Sequence, residues 1–363
     1  MISVSGKKWF EKKISKNSVE KIKQDFNFSE IISKLVISRN FDYNEIYSID
    51  NPSFIENEFK YNKDFINASL LLEKSINKKE LICIFGDYDV DGSAATSLLA
   101  KFFNYIKHPY FFYIPNRERD GYGPNISVFK ELILKKPKLI IMVDCGSTSH
   151  QSIAFLNAKN IKSIIIDHHE INKPYPKTNV LINPKKNVSN LSKDYYCATT
   201  LTYFFLEIFI KKVKSSFNLS NYLIYVLLAL VCDVMPLRKI NRYIGLNIIK
   251  EFKIKDNVVF KTLYDLCNKK KNLTIEDLGY FIGPIINSGG RISDSHIAAD
   301  LLISENLNFI KTKSYELIKL NNIRKDIEKK ILDEINFNKL EKENKDVIIY
   351  YNATIKEGLI GII

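Results

Sequence analysis

The sequence predicts an α/β fold: a parallel sheet with helices on both faces, followed by a helical segment and a long connecting helix. Three observations carry this. Short apolar runs, "LICIF" (81–85), "KLIIMV" (138–143) and the run ending in "SIII" (163–166), have the length of buried strands. The segments between them place apolar residues three and four apart, the helical period. Strands that alternate with helices form a parallel sheet covered on both faces.

In chain order, residues 1–78 read as an N-terminal accessory region, polar and rich in Lys and Asn, with helices near "FSEIISKLVISRNF" (28–41) and "FINASLLLEKSI" (65–76). The strand "LICIF" leads to a helix, "SAATSLLAKFFNYI" (93–106), and to a second strand, "PYFFYIP" (109–115). A helix at 126–136, the strand at 138–143, a helix at 150–160 and a strand at 161–166 complete the alternation. Helices then follow at 198–213, 221–232, 241–251 and 258–268, and a long one at about 305–340 mixes apolar spacing with i,i+4 charge pairs. A last strand is expected at "KDVIIYY" (345–351).

Composition narrows the function. A hydrophobic content of 45% with 26% charged residues is that of a globular chain, and a net charge of +13 suits a polyanionic partner such as nucleic acid. The five cysteines are widely spaced and contain no C-x-x-C pair, so a zinc ribbon and a disulfide framework are both excluded. A reducing, cytoplasmic setting is expected. The start "MISVSGKKWFEKK" has no apolar signal core, and the run "YLIYVLLALVC" (222–232) falls short of the roughly 18 residues that span a membrane. No membrane partner is expected.

The chemistry gathers at strand ends. "LICIF" runs into "GDYDVDG", which supplies Asp87, Asp89 and Asp91; "KLIIMV" runs into Asp144; "SIII" runs into Asp167, His168 and His169. Each stretch alone also suits a polar turn or a helix cap. In open α/β sheets, however, ligands bind outside the carboxyl ends of the strands, so the three clusters converge on one crevice. So many carboxylates repel one another unless a cation is present. Carboxylates with the imidazoles of His168 and His169 suit Mn²⁺ or a related divalent ion. Asp233, in "LVCDVMPL", ends an apolar helix and needs a partner there. Ligands from four segments are consistent with two ions roughly 3.5–4 Å apart, the arrangement used for phosphoester hydrolysis. Cys83 and Cys145 read as small hydrophobes, since nothing places a base beside them.

Two further segments are basic and glycine-rich. "IPNRERDGYG" (114–123) carries Arg117 and Arg119, and "NSGGRISDSH" (287–296) carries Asn287 and Arg291 ahead of a helix. Glycines let a backbone approach a phosphate and arginine binds one in bidentate fashion; a turn with solvated charge is the competing reading.

Together, "GDYDVDG", "DCG", "DHH" and "CDVMPL" resemble, in this order, the four motifs of the DHH phosphoesterase family. "PNRERDGYG" and "NSGGRISDS" are similar to signatures of its RecJ branch, and the resemblance covers about 30–363, including "LVISRNFDYNEI". It implies hydrolysis of single-stranded DNA from the 5′ end to mononucleotides, in repair and recombination, dependent on Mn²⁺ or Mg²⁺, with two ions. It implies that Asp87, Asp89, Asp91, Asp144, His168 and Asp233 ligate metal, that His169 contacts the scissile phosphate and that Asp167 orients the histidines. Arg291, Asn287 and Arg117 would hold substrate phosphate. Single-stranded DNA is the implied partner, with single-strand-binding protein as a protein partner. An enzyme acting on short oligonucleotides, or a nucleic-acid-binding remnant without catalysis, is the alternative. The implied layout is a catalytic domain at 79–304, a connecting helix at 305–342 and the start of an incomplete DHHA1-like domain at 343–363. Two places depart from the family: "CATTLTYFF" (197–205) stands where a glycine-containing stretch is usual, and Ile355 and Lys356 stand where a Trp-His pair is common.

Overall fold

The computed structural model describes residues 2–8, 10, 12–50, 57–186, 195–335, 351 and 355–361. Two compact units divide the chain: Met1–Glu56 with Arg238–Tyr243, and Asn57–Leu237 with Ile244–Ile363. In the smaller unit, α1 (Lys16–Phe26) and α2 (Glu30–Ser38) are capped by Ser15 and Ser29, whose side chains accept the N–H groups of Ser18 and Ile32. The helix α3 (Tyr43–Asp50) brings in a buried Glu45, and Arg238 Nε donates to it at 2.9 Å.

The larger unit begins with α4 (Lys63–Asn77), which the sequence grouped with the accessory region. Its buried face of Phe65, Ala68 and Leu72 packs on the sheet side of this unit instead. Five parallel strands follow, β1 (Ile82–Phe85), β2 (Tyr110–Tyr113), β3 (Leu139–Val143), β4 (Lys162–Ile166) and β5 (Val180–Ile182), in the order β2-β1-β3-β4-β5. Phe85 lies opposite Met142, and Val143 opposite Ile166. Every residue of β1 and β3 is buried, which is why both read as unbroken apolar runs, whereas β2, at an edge, is half-buried.

Alternate side chains serve the two faces. Cys83, Phe85, Ile140, Met142, Ile165 and Leu181 pack against Val128, Phe129 and Leu132 of α7 (Ile126–Leu132) and Ile153 and Leu156 of α8 (His150–Ala158). Phe85 meets Phe129 edge-on at 5.5 Å between centroids, a geometry worth about 0.5–1.5 kcal/mol beyond its buried area. The other face is covered by α5 (Val90–Tyr105) and α9 (Ala198–Val213). Nearly all of α5 is buried, since α10 (Leu223–Cys232) and α15 (His296–Ile303) also pack on it; its Ala94, Ala95, Ser97 and Ala100 permit such close neighbours.

The remaining helices are α6 (Arg117–Asp120), α11 (Lys239–Glu251), α12 (Val258–Leu266), α13 (Ile275–Asp277), α14 (Gly283–Ile292) and α16 (Leu307–Glu334). A π-helical turn, Leu278–Ile282, runs directly into α14, which packs along α16. The strand expected at 345–351 and the last turns of the helix expected to 340 lie outside the described residues, apart from Tyr351. Among the described residues no helix is long and apolar enough to cross a membrane.

This strand order reverses its direction of growth between β1 and β3. The crevice outside the carboxyl ends of those two strands is where such a sheet binds its ligand.

Candidate metal centre

β1 delivers its acidic loop into that crevice. Asp89 caps α5 by accepting the Gly92 N–H at 3.0 Å, and Asp91 falls in the first helical turn. A Cβ at Gly92 would lie 2.5 Å from the Asp87 carbonyl oxygen, so only glycine lets the Asp87 backbone fold this closely over the helix start. From β3, Asp144 follows at φ 63, its N–H donating to Ile166 O at 2.9 Å. β4 leads into Asp167, whose N–H donates to Ile182 O at 3.0 Å, and then into His168 and His169. Asp233 enters from elsewhere, as the C-cap of α10.

These side chains meet. His168 Nε2 lies 3.3 Å from Asp144 Oδ1, 3.4 Å from Asp233 Oδ2 and 3.7 Å from Asp91 Oδ2. Three sets of potential ligand atoms each fall within 4.8 Å of one another: Asp87, Asp89 and Asp144; Asp91, His168 and Asp233; Asp144, His168 and His169. Asp144 belongs to two of them and so sits where two ions would share a carboxylate. Four atoms here, Asp87 Oδ1, Asp144 Oδ1, His168 Nε2 and Asp233 Oδ2, are buried without a hydrogen-bond partner. An orphan buried polar atom costs about 1–3 kcal/mol, so four in one place are a feature to be explained. A divalent cation accepts all four, and the oxygen-rich set with one imidazole fits Mn²⁺ or Mg²⁺ better than zinc.

The electrostatics agree. Burial, then neighbouring carboxylates, pushes Asp87, Asp89 and Asp144 above the ordinary range, and pushes Asp233 up to about 8. Burial holds His168 below its usual value, leaving a neutral ring able to ligate. His169 behaves oppositely. Its Nδ1 lies 2.7 Å from Asp167 Oδ1, a bond that raises its pKa to about 9, so it is cationic at neutral pH. Burial works to raise Asp167 as well, but hydrogen bonds from His169 and Ser147 win and hold its carboxyl below the usual range.

Asp91 has a second duty. Its two oxygens accept the N–H groups of Ala198, at 2.6 Å, and Thr199, at 2.8 Å, capping α9 from another helix. Cys197, the N-cap residue, makes no such side-chain bond, so α9 starts well without the glycines usual there. Cys83 and Cys145 are fully buried with thiols pushed up by burial, as inert residues should be.

The basic segments lie alongside. Arg117 opens α6 with its guanidinium 4.1 Å from the Tyr88 ring centroid and its Nε buried without a partner. Asn287 and Arg291 stand one turn apart on α14, so "NSGGR" is helix and not the phosphate-cradling loop its glycines suggest. Those glycines serve packing: a Cβ at Gly290 would lie 2.4 Å from Tyr88 O, and one at Gly289 2.8 Å from Asp294 O. Gly121 and Gly123 take positive φ, 75 and 70, in the "DGYG" segment, where the backbone bends.

Sequence reasoning missed four side chains. Tyr122 Oη is 3.4 Å from His169 Nε2, and Tyr88 backs Arg117; both carried a signal, being aromatic residues inside acidic or glycine-rich motifs. Asn183, which follows β5, donates to Ser147 Oγ at 2.9 Å and to the His169 carbonyl at 3.0 Å, tying β4 and β5 loops together. Arg324 on α16 lies close enough to help Arg117 hold the Arg291 pKa below its usual value, after burial. Nothing in its spacing distinguishes it from a surface ion pair.

Residues 81–230 match the family model described as the DHH family, N-terminal domain. The single-stranded-DNA-specific exonuclease RecJ of Haemophilus influenzae is 29% identical over 311 residues, covering 81% of this chain and 54% of that protein. RecJ of Bacillus subtilis is 25% identical over 373 residues, covering 98% of this chain and 45% of the relative. This chain thus spans about half the length of the relatives it matches. Among solved structures, exonuclease RecJ bound to manganese superposes with a TM-score of 0.72 at 23% identity, over 83% of this chain and 76% of that one. RecJ of Thermus thermophilus in complex with Mn²⁺ gives 0.78 at 19% identity, over 95% and 50%. Those two likenesses are likenesses of fold. Residues 81–230 are thus similar to the N-terminal domain of the DHH family, and the chain is similar to RecJ proteins along most of its length.

Proposed function

We propose that this chain is a divalent-metal-dependent phosphodiesterase that removes nucleotides from the 5′ end of single-stranded DNA, with Mn²⁺ or Mg²⁺ as the ion. The observation that carries the metal is the convergence of four orphan ligand atoms from four chain segments. Single-stranded DNA as substrate is supported by the named activity of the relatives and by a net charge of +13. In this reading residues 79–304 form the catalytic domain and α16 serves as the connecting helix, and a single-strand-binding protein is the expected protein partner, since it coats the same strand.

Asp87, Asp89 and Asp144 would hold one ion, and Asp144, Asp91, His168 and Asp233 the other. When bound, such a pair acidifies the attacking water and draws charge from the phosphate during in-line displacement. The chain's own groups do the rest. His169, kept cationic by Asp167, presents Nε2–H as a charge-assisted donor to a non-bridging phosphate oxygen. Arg117 and Arg291, with Asn287, hold the flanking phosphate charge, and no side-chain nucleophile is needed.

The test is Mn²⁺-dependent release of label from 5′-labelled and 3′-labelled single strands, with Asp144→Asn as the control. Asn keeps the left-handed backbone that Asp144 adopts, where Ala would add strain. Early release of the 5′ label that falls at least about 100-fold in the variant is expected. Undiminished release in Asp144→Asn contradicts the site assignment, and faster cleavage of dinucleotides than of long strands shifts the substrate class to short oligonucleotides.

A further inference from the structure

The Arg291 side chain makes a single hydrogen bond among the described residues, and its acceptor is distant in sequence: Nη1 donates to the Gly358 carbonyl at 2.8 Å. Gly358 lies in a single helical turn, Glu357–Ile360, that packs on α14 through the fully buried Leu359. The fit leaves no room. A Cβ at Gly358 would lie 2.3 Å from Arg291 O and 2.8 Å from Arg291 Cα, backbone atoms that cannot swing aside. Two residues earlier, Lys356 Nζ pairs with Glu118 Oε1 at 2.8 Å, and Glu118 adjoins Arg117. Residues 356–360 therefore touch both arginine-bearing segments beside the candidate metal centre.

An arginine with a long free side chain loses entropy when it grips a phosphate, and a fixed one loses less. One of its five N–H donors is spent on Gly358 and four remain. Any residue larger than glycine at 358 forces the turn off α14 and frees the guanidinium.

We propose that Gly358 is a positioning residue for phosphate binding: by its lack of a side chain and through its carbonyl, it fixes Arg291 for the substrate strand. The inference rests on the function proposed above and deepens it, since it assigns part of the grip on DNA to residues 356–360.

The test compares Gly358→Ala with Gly361→Ala, because a Cβ at Gly361 meets nothing within 4 Å. Two readouts are taken with Mn²⁺: steady-state cleavage of a short single strand, and the Kd of a phosphorothioate strand that resists cleavage. Gly358→Ala is expected to raise KM and Kd about tenfold or more, with kcat within about twofold, while Gly361→Ala matches the unsubstituted protein. The thermal shift produced by Mn²⁺ alone should be the same in all three proteins. Added to Arg291→Ala, Gly358→Ala should cost nothing further, because it acts through that side chain. An unchanged KM and Kd in Gly358→Ala, or a loss that adds in full to that of Arg291→Ala, overturns the inference while leaving the nuclease reading intact. If the unsubstituted protein neither cuts nor binds the strand, the functional reading itself falls and takes this one with it.

Discussion

His169 Nδ1 and Asp167 Oδ1 are 2.7 Å apart, and the same carboxylate oxygen also accepts the N–H groups of His168, at 2.8 Å, and His169, at 3.2 Å. One buried carboxyl thus fixes the turn, the ring and the charge of the histidine next to the candidate metal ligands.

Asp167→Asn removes that charge while keeping the shape. The His169 pKa, raised to about 9 by the pair, should fall toward roughly 6.5, its unperturbed value, and the alkaline limb of the pH–rate profile should move down with it. Linkage gives the sign for stability. Raised His169 contributes stability that is complete below about pH 6.5 and is lost as pH climbs through about 9; depressed Asp167 contributes stability present above about pH 3.9 and lost on acidification. The pair therefore works fully between about pH 4 and 6.5. An alkaline limb that stays in place would show that His169 does not act as a cation.

In metal-free protein the clustered carboxylates act against folding as pH rises. Their raised folded pKa values mean that the folded state keeps protons the unfolded chain has lost, so stability declines from about pH 4 upward, for Asp233 as far as about 8. Differential scanning calorimetry in EDTA should show a lower Tm at pH 8 than at pH 6. Added Mn²⁺ should raise it by more at pH 8, since binding expels protons, and ion at about 100 times Kd gives roughly 2.7 kcal/mol. An increment independent of pH would speak against these ligands.

Asp91 and Asp87 should part company when metal is absent. Asp91→Ala leaves two buried N–H groups of α9 uncapped and should cost about 2–4 kcal/mol in EDTA. Asp87→Asn relieves repulsion and should be neutral or stabilising under the same conditions. Equal losses would mean that Asp91 does not hold the helix.

Val234, next to Asp233, sits at φ 54, a left-handed backbone that a β-branched residue adopts at a cost of about 1–2 kcal/mol. Its side chain is 84% exposed, so little packing is at stake. Val234→Gly should raise Tm by about 1–3 °C in chemical or thermal melts. A fall would mean that the valine side chain holds Asp233 in place.

Much of this was legible in the sequence because its strongest signals are local. Within "LICIF", "KLIIMV" and "SIII", Ile82–Phe85, Leu139–Val143 and Ser163–Ile166 are buried on both faces, and each ends within two residues of the acidic residue that the crevice receives. β5 escaped because three apolar residues, "VLI", form too short a run to stand out. "NSGGR" misled because its glycines suit a loop, whereas close packing on Tyr88 and Asp294 is what demands them. Asp91's grip on α9, Arg324's approach to Arg291 and the seat of Gly358 are contacts across 30 to more than 100 residues, and periodicity carries no trace of such pairs.

The most direct test counts ions. Equilibrium binding of Mn²⁺, followed by electron paramagnetic resonance of free Mn²⁺ at pH 8, should give two ions per chain, and Asp144→Asn, which removes the carboxylate that the two proposed ions share, should weaken both sites by at least about tenfold. One ion per chain, or two ions bound as tightly to Asp144→Asn as to the unsubstituted protein, would contradict a centre built around Asp144.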